Sequence, residues 1–330
     1  MNRGMVLMRK TITSRRKAMV LCAGVLVCLL CGGCPAEEPV EPERKVRLAA
    51  NEHFIIEEEG LNLLEEEYGL IFDEIHEMAV GLTHEALKMG DVDVAVGFTT
   101  DGKIKELELV KLKDDQKVFP VSNPAPLVRE NVLEQYPQIE AIMAEISSRL
   151  DNQTMIELNY QVDLEENEPV DVARKWLLEE ELITKKDRIP LDGDVVVVGS
   201  KEFVEQNILG QIATLALEDA GIPVEKKEPI AGTEAIRRAI LLEGIDLYWE
   251  YTGVAWQEVY EKEERLCDPE QVFKKVSEKD AKIGLTWLDY APLNKTYTLM
   301  MRREDAISYE IDSISDLSKW TEQVRAGESQ

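Results

Sequence analysis

Histidine, aromatic side chains and usable cysteine are scarce in this chain of 330 residues. It has three histidines, 6% aromatic residues and five cysteines, of which Cys22, Cys28, Cys31 and Cys34 crowd the N-terminus. Only Cys267 lies in the body, which excludes an internal disulfide framework. His53, His76 and His84 have neither the spacing nor the thiol company of a structural zinc site, so no metal centre is expected. Positive charge is also short: 38 Lys and Arg stand against 65 Asp and Glu, a net charge of -27. Such a surface repels phosphate backbones, and no nucleic-acid partner is expected. The chain carries no nucleophile elbow, no phosphate-binding P-loop and no cysteine with a plausible histidine partner. Asp114 and Asp115 are adjacent acids that read as a solvated turn rather than a catalytic pair. No enzyme, no catalytic residue and no cofactor is therefore expected. At 44% hydrophobic the chain is too apolar to be disordered and long enough for one or two compact lobes.

Residues 1–33 contain six basic residues and no acidic one, and Ala18 to Leu30 is apolar throughout apart from Gly24. This is the pattern of a signal peptide, shorter than the roughly 20 apolar residues of a spanning helix. The small residues around Cys31 to Cys34 and the Pro- and Glu-rich stretch that follows resemble a bacterial or archaeal lipoprotein site, with Cys34 as the lipidated residue. An uncleaved N-terminal anchor is the alternative. Either way a domain tethered outside the membrane is expected.

From Val46 onward short β-rich runs alternate with helical stretches. VVVVG ends at Gly199, and an amphipathic stretch from Gln206 to Ala220 then puts Ile208, Leu209, Ile212, Leu215 and Ala216 on one face. This is α/β patterning. Two segments share a plan of helix end, glycine stop, alternating strand, aromatic and threonine: ALKMGDVDVAVGFTTDG and AILLEGIDLYWEYTGV. Asp93 precedes Phe98 and Thr99 at the spacing by which Asp246 precedes Tyr251 and Thr252. A second pair, SNPAPLVRE and APLNKTYTLMMRRE, reads as two apolar strands leaving a hinge. Two facing lobes with a ligand cleft between them would supply both pairs, although helix, glycine and strand units also recur by chance in α/β chains.

These residues carry a family resemblance. The segment from Val195 to Trp256, with GSK, EQ, GT and EYTG in that order, resembles the N-terminal half of the quaternary-amine (glycine betaine, choline) substrate-binding proteins of ABC importers. DVDVAVGFTTDGKIKELELVKLKDDQKVFP and MIELNYQVDLEENEPVDVARKWLLEEELI resemble its C-terminal half. The family's C-terminal half thus falls at about 46–184 and its N-terminal half at about 193–324, the reverse of the usual order. The resemblance implies an α/β, two-lobed periplasmic-binding-protein fold of the type II clamshell kind, circularly permuted. It implies a signal peptide over 1–33, a tether over 34–45, lobe two from 46–124 plus 295–330, and lobe one from 125–294. A monomer and a domain-swapped dimer both fit. The implied partners are a quaternary ammonium molecule, an ABC permease subunit and, through the lipid, the extracytoplasmic face of the cell membrane.

A trimethylammonium group donates no N–H hydrogen bond, so its recognition relies on aromatic faces. By resemblance, Tyr251 and Tyr297 match cage tyrosines and Phe98 stands where a third is common. The fourth position falls at Ser122, which has no ring. Lys201 matches a position facing the ligand carboxylate, in a loop just before a helix. Two positions depart from the family: Glu57 stands where an arginine clamps the carboxylate, and Val254 replaces a threonine. If the match at Glu57 holds, the change of sign disfavours a carboxylated zwitterion and helps a plain cation such as choline. The alternative is that Glu57 to Glu59 form a solvated acidic loop. With the cage thinned, an extracytoplasmic sensor or scaffold is the competing function.

Overall fold

Val94–Phe98 (VAVGF) is buried over nearly its whole length and Leu247–Tyr251 (LYWEY) over all of it, as strands covered on both faces must be. The computed structural model describes residues 44–56, 60–184 and 191–327; the leader with Cys34, and Glu57, lie outside the described residues. Ten strands occur among the described residues: β1 (Arg47–Ala50), β2 (Glu74–Glu77), β3 (Val94–Phe98), β4 (Leu109–Lys111), β5 (Pro124–Arg129), β6 (Val196–Val198), β7 (Val224–Lys226), β8 (Leu247–Tyr251), β9 (Leu285–Trp287) and β10 (Tyr297–Arg302). They form two sheets of five, ordered β2-β1-β3-β10-β4 and β7-β6-β8-β5-β9. The sheets share one plan. Three parallel strands are followed by one antiparallel strand, β10 in the first sheet and β5 in the second, which separates them from the last. The fold is therefore two-lobed and α/β. No helix among the described residues is long and apolar enough to cross a membrane.

The matched aspartates occupy equivalent places. Asp93 and Asp246 stand just before β3 and β8, and each carboxylate accepts a backbone N–H from the neighbouring parallel strand, Arg47 N at 2.9 Å and Val197 N at 2.9 Å. Each also takes a guanidinium, from Arg47 and from Arg129. A strand-end amide left unpaired in such a place would cost about 1–3 kcal/mol. An aspartate at this spacing is thus a register pin.

The cores follow the alternation of the strands. In lobe two, Leu48, Val94, Val96, Leu299 and Met301 face one side with Phe54, Leu64 and Trp320, whereas Ala49, Ala95 and Met300 face the other with Leu87 and Val92. In lobe one the helix Val204–Asp219 is buried around most of its circumference rather than along one stripe. The helices Asn152–Asp163 and Pro169–Glu179 cover it. The first of these also crosses to the other lobe, since Ile156 is buried with Ala49 and Met300 while Met155 and Leu158 belong to the core of lobe one.

The chain passes between the sheets twice, at 112–123 and 288–296, and the two passages are bonded side by side. Ala291 N donates to Pro124 O at 2.9 Å and Lys295 N to Ser122 O at 3.0 Å. Ser122 N donates to Asn294 Oδ1 at 2.7 Å, Asn123 Nδ2 to Leu293 O at 2.7 Å and Thr296 Oγ1 to Pro120 O at 2.8 Å. Beyond this hinge the lobes touch. A Cβ on Gly102 would stand 2.7 Å from Tyr160 N, Lys105 pairs with Glu157 at 2.6 Å and Arg265 with Glu67 at 2.8 Å.

Gly253 packs directly on the hinge, where a Cβ would lie 2.6 Å from Val121 O and 2.9 Å from Ser122 Oγ. The obstacle is backbone, which cannot swing aside. Gly253→Ala should therefore lower stability by about 1–3 kcal/mol in urea unfolding; an unchanged midpoint would mean that the passage yields freely.

Candidate functional site

In parallel sheets the carboxyl ends of strands open toward the ligand crevice, and both sheets deliver an aromatic there. Phe98 closes β3 and Tyr251 closes β8. Tyr297 begins β10 directly opposite Phe98 in the antiparallel register, so both rings stand on one face and stack with centroids 5.0 Å apart at 17°. Phe54 meets the Tyr297 ring edge-on at 5.0 Å, Phe119 supports Phe54 from 6.1 Å, and His53 Nδ1 lies 3.2 Å from the Tyr297 hydroxyl. These groups make the wall of lobe two.

The opposing wall comes from lobe one. Tyr251 is only 2% exposed; its hydroxyl donates to Glu205, and its ring lies 6.1 Å from that of Phe203, which is 37% exposed. Burial first, and then the charge of Glu205, push the Tyr251 hydroxyl well above its ordinary range, so it stays protonated and acts as donor. Glu205 is equally buried and also accepts from Asn159 Nδ2 at 3.1 Å. The same Asn159 amide donates to Thr100 O at 2.9 Å, which ties the two walls together.

Lys295 stands between the walls. Its ammonium lies 4.7 Å from the Phe98 centroid and 5.5 Å from the Phe203 centroid, 3.5 Å from Glu205 Oε2 and 3.3 Å from Thr100 Oγ1. Asp163 is nearby in charge terms. Burial raises its carboxyl above the usual range, Asp101 and Glu205 add to the shift, and Lys295 opposes it. Two aromatic faces, a buried carboxylate and a hydroxyl thus surround one positive charge. Ring faces and oxygen acceptors around a positive charge are the chemistry that holds a cation.

The residues singled out from sequence are distributed as follows. Phe98 and Tyr297 are brought together as a stacked pair, and the connection from them to Tyr251 runs through Lys295 and Phe203. Lys201 is almost fully buried and its Nζ donates to Glu250 Oε1 at 2.7 Å and to Thr233 Oγ1 at 3.2 Å, 6.0 Å from the Tyr251 ring. Its charge is met by a carboxylate of this chain, a partner that any ligand carboxylate would have to share. Ser122 serves the hinge through its backbone, and Val254 ends the short helix Thr252–Val254 behind Tyr251 in the chain. Glu57 lies outside the described residues. Phe203, Glu205, Asn159 and Lys295 were not singled out. Phe203 and Glu205 lie in the run GSKEFVEQ and Lys295 in NKTYTL, so the signal was an aromatic, an acid and a base inside motifs already noticed. Asp114, for its part, accepts the amides of Val118 and Phe119 and the Tyr68 hydroxyl, and so holds a turn.

A family model for the substrate-binding domain of ABC-type glycine betaine transport systems matches residues 37–179 and 194–329. The chain is 37% identical over 149 residues to a glycine-betaine-binding protein of Pseudomonas aeruginosa, an alignment covering 44% of this chain and 48% of that protein. It is 33% identical over 121 residues to the carnitine transport binding protein OpuCC of Listeria monocytogenes, covering 37% and 39%. The glycine betaine-binding protein YehZ of Escherichia coli is 34% identical over 130 residues, covering 39% and 43%. The chain thus spans less than half the length of each of these relatives. A crystal structure titled glycine betaine/carnitine/choline ABC transporter is 27% identical, covers 42% of this chain and 50% of its own, and superposes with a TM-score of 0.38. Since the family model accounts for well over half of the residues, the chain belongs to the family of substrate-binding domains of ABC-type glycine betaine transport systems.

Proposed function

We propose that the protein binds a quaternary ammonium osmolyte, such as glycine betaine, choline or carnitine, between its lobes and presents it to an ABC permease subunit. It would do so at the extracytoplasmic face of the cell membrane, tethered through a lipid on Cys34. The observation that carries this reading is the cleft itself, where the stacked Phe98 and Tyr297 face Phe203 across a point occupied by a positive charge beside Glu205. Each aromatic face attracts a cation by about 0.5–2 kcal/mol, more as water is excluded. The paired passages between the lobes restrict their motion to opening and closing about one axis, and the closed form is what a permease would read. The relatives named for glycine betaine and carnitine agree with this class of ligand.

The reversed order of the family's halves belongs to the same proposal. Two features support it: the family model matches in two blocks, and each relative aligns with less than half of itself. The geometry of the ends agrees. Asp73 accepts Val46 N at 2.8 Å and Arg325 Nη2 at 2.9 Å, so the start and the end of the folded body meet at one carboxylate. Thr184 N is held by Asp219 and Leu191 N by Gly221, so a break between them would part residues fixed at neighbouring points.

Calorimetric titration of the purified protein should give saturable binding of choline or glycine betaine with no turnover; a scaffold would give neither. Tyr297→Ala or Phe98→Ala should weaken that binding by about 1–2 kcal/mol. Unchanged affinity in the double variant would remove the aromatic cage from the account. For the order of the halves, a rearranged chain running from Gly193 to Gly327 and then, through a short linker, from Arg44 to Thr184 should melt within a few degrees of the original and keep its affinity. A chain that does not fold would count against the permutation.

A further inference from the structure

We propose that the ammonium of Lys295 is a built-in occupant of the cation site, and that a quaternary ammonium ligand binds by displacing it. The inference rests on the reading above and goes beyond it by naming an internal competitor. Lys295 Nζ lies within cation–π range of one ring from each lobe, 4.7 Å from Phe98 and 5.5 Å from Phe203, with Glu205 Oε2 at 3.5 Å and the Thr100 hydroxyl at 3.3 Å. A lysine serving only as an ion-pair partner would close on its carboxylate. Lys201 does so with Glu250 at 2.7 Å, and Lys295 stands off between the rings instead. Glu205 keeps two hydrogen bonds, from Tyr251 and Asn159, when the ammonium moves, and an incoming cation replaces its charge.

The stem of Lys295 starts from the hinge. Its backbone N–H is fixed to Ser122 O, whereas the side chain, 19% exposed, reaches into the cleft on a flexible four-carbon stem held at its tip only by Thr100 and Glu205. Two cations cannot share faces this close, so a trimethylammonium ligand has to move the lysine aside. With that ammonium in place, a ring from each lobe faces a positive charge while the lobes are in contact. Lys295 therefore sets how strongly a ligand must bind before it is taken up, and it makes the site less responsive to weak cations than the rings alone would be.

The test is calorimetric titration of the full protein with choline and with glycine betaine in the wild type, Lys295→Met and Lys111→Met. Lys111 is a control of the same charge on lobe two, whose Nζ donates to Thr99 O rather than facing a ring. Lys295→Met should tighten choline binding tenfold or more, while Lys111→Met should change it less than threefold. Equal tightening in both variants would reduce the effect to general charge and overturn the proposal. Unchanged or weaker binding in Lys295→Met alone, with the wild type still binding, would overturn it while leaving the osmolyte reading intact. Absence of binding to either compound in all three proteins would overturn both.

Discussion

Everything in this molecule depends on the two passages between the sheets. Each sheet receives its antiparallel strand from the passage that has just left the other sheet, so neither lobe is complete until the chain has crossed. The passages lie side by side and bond through Ser122, Asn123, Asn294 and Lys295. Two such strands can bend together but cannot slide independently. Thr99 and Thr252, the threonines that follow the strand-end aromatics Phe98 and Tyr251, are both bonded to the passages, through Asn294 and Asn123.

The cleft is an electrostatic problem solved with groups from both walls. Burying Glu205 without partners would be expensive, and it is stabilised by the Tyr251 hydroxyl, the Asn159 amide and the more distant ammonium of Lys295. Lys201 and Glu250 neutralise one another one layer deeper. What remains uncompensated at the surface of the cleft is aromatic. Under the proposed function this matters, because a cation without N–H donors would ask for no hydrogen bonds that the walls have already committed.

Much of the fold was legible because its signals are local. Asp93 and Asp246 precede their strands at a spacing set by the need to cap the neighbouring strand, and Phe98 and Tyr251 close those strands five residues on, so a reading of sequence alone finds both units. The pairing of Phe98 with Tyr297 came only through motif likeness, and its physical basis is cross-strand register, which sequence does not state. Lys295 shows the limit most clearly. A lysine in a hinge segment looks like any solvent-facing lysine, and its meaning comes from rings at positions 98 and 203 and a carboxylate at 205, all nearly a hundred residues or more away. Lys201 shows the same limit: Glu250, which pairs with it, lies on a strand about fifty residues away. The amphipathic stripe on the helix Val204–Asp219 was read correctly as apolar but as one-sided, since the helices that cover its far side leave no trace in its own sequence.

Such a construction is indifferent to where the chain begins. Each lobe is organised by its own trio of parallel strands and its own strand-end aspartate, and the exchanged strands β5 and β10 are inserted locally between β8 and β9 and between β3 and β4. The contacts that define the cleft are contacts between units, not between consecutive segments. Cutting the chain between Thr184 and Leu191 and joining it near Asp73 would alter loop-closure entropy, which grows only slowly with loop length, and would leave every pairing of strand with strand unchanged. A hinge made of two bonded passages demands that both exist; it makes no demand on which is translated first. The helix Asn152–Asp163 serves both cores at once, with Met155 and Leu158 in lobe one and Ile156 against lobe two, so the contact between the lobes rests on packing as well as on Lys105, Arg265 and Asn159.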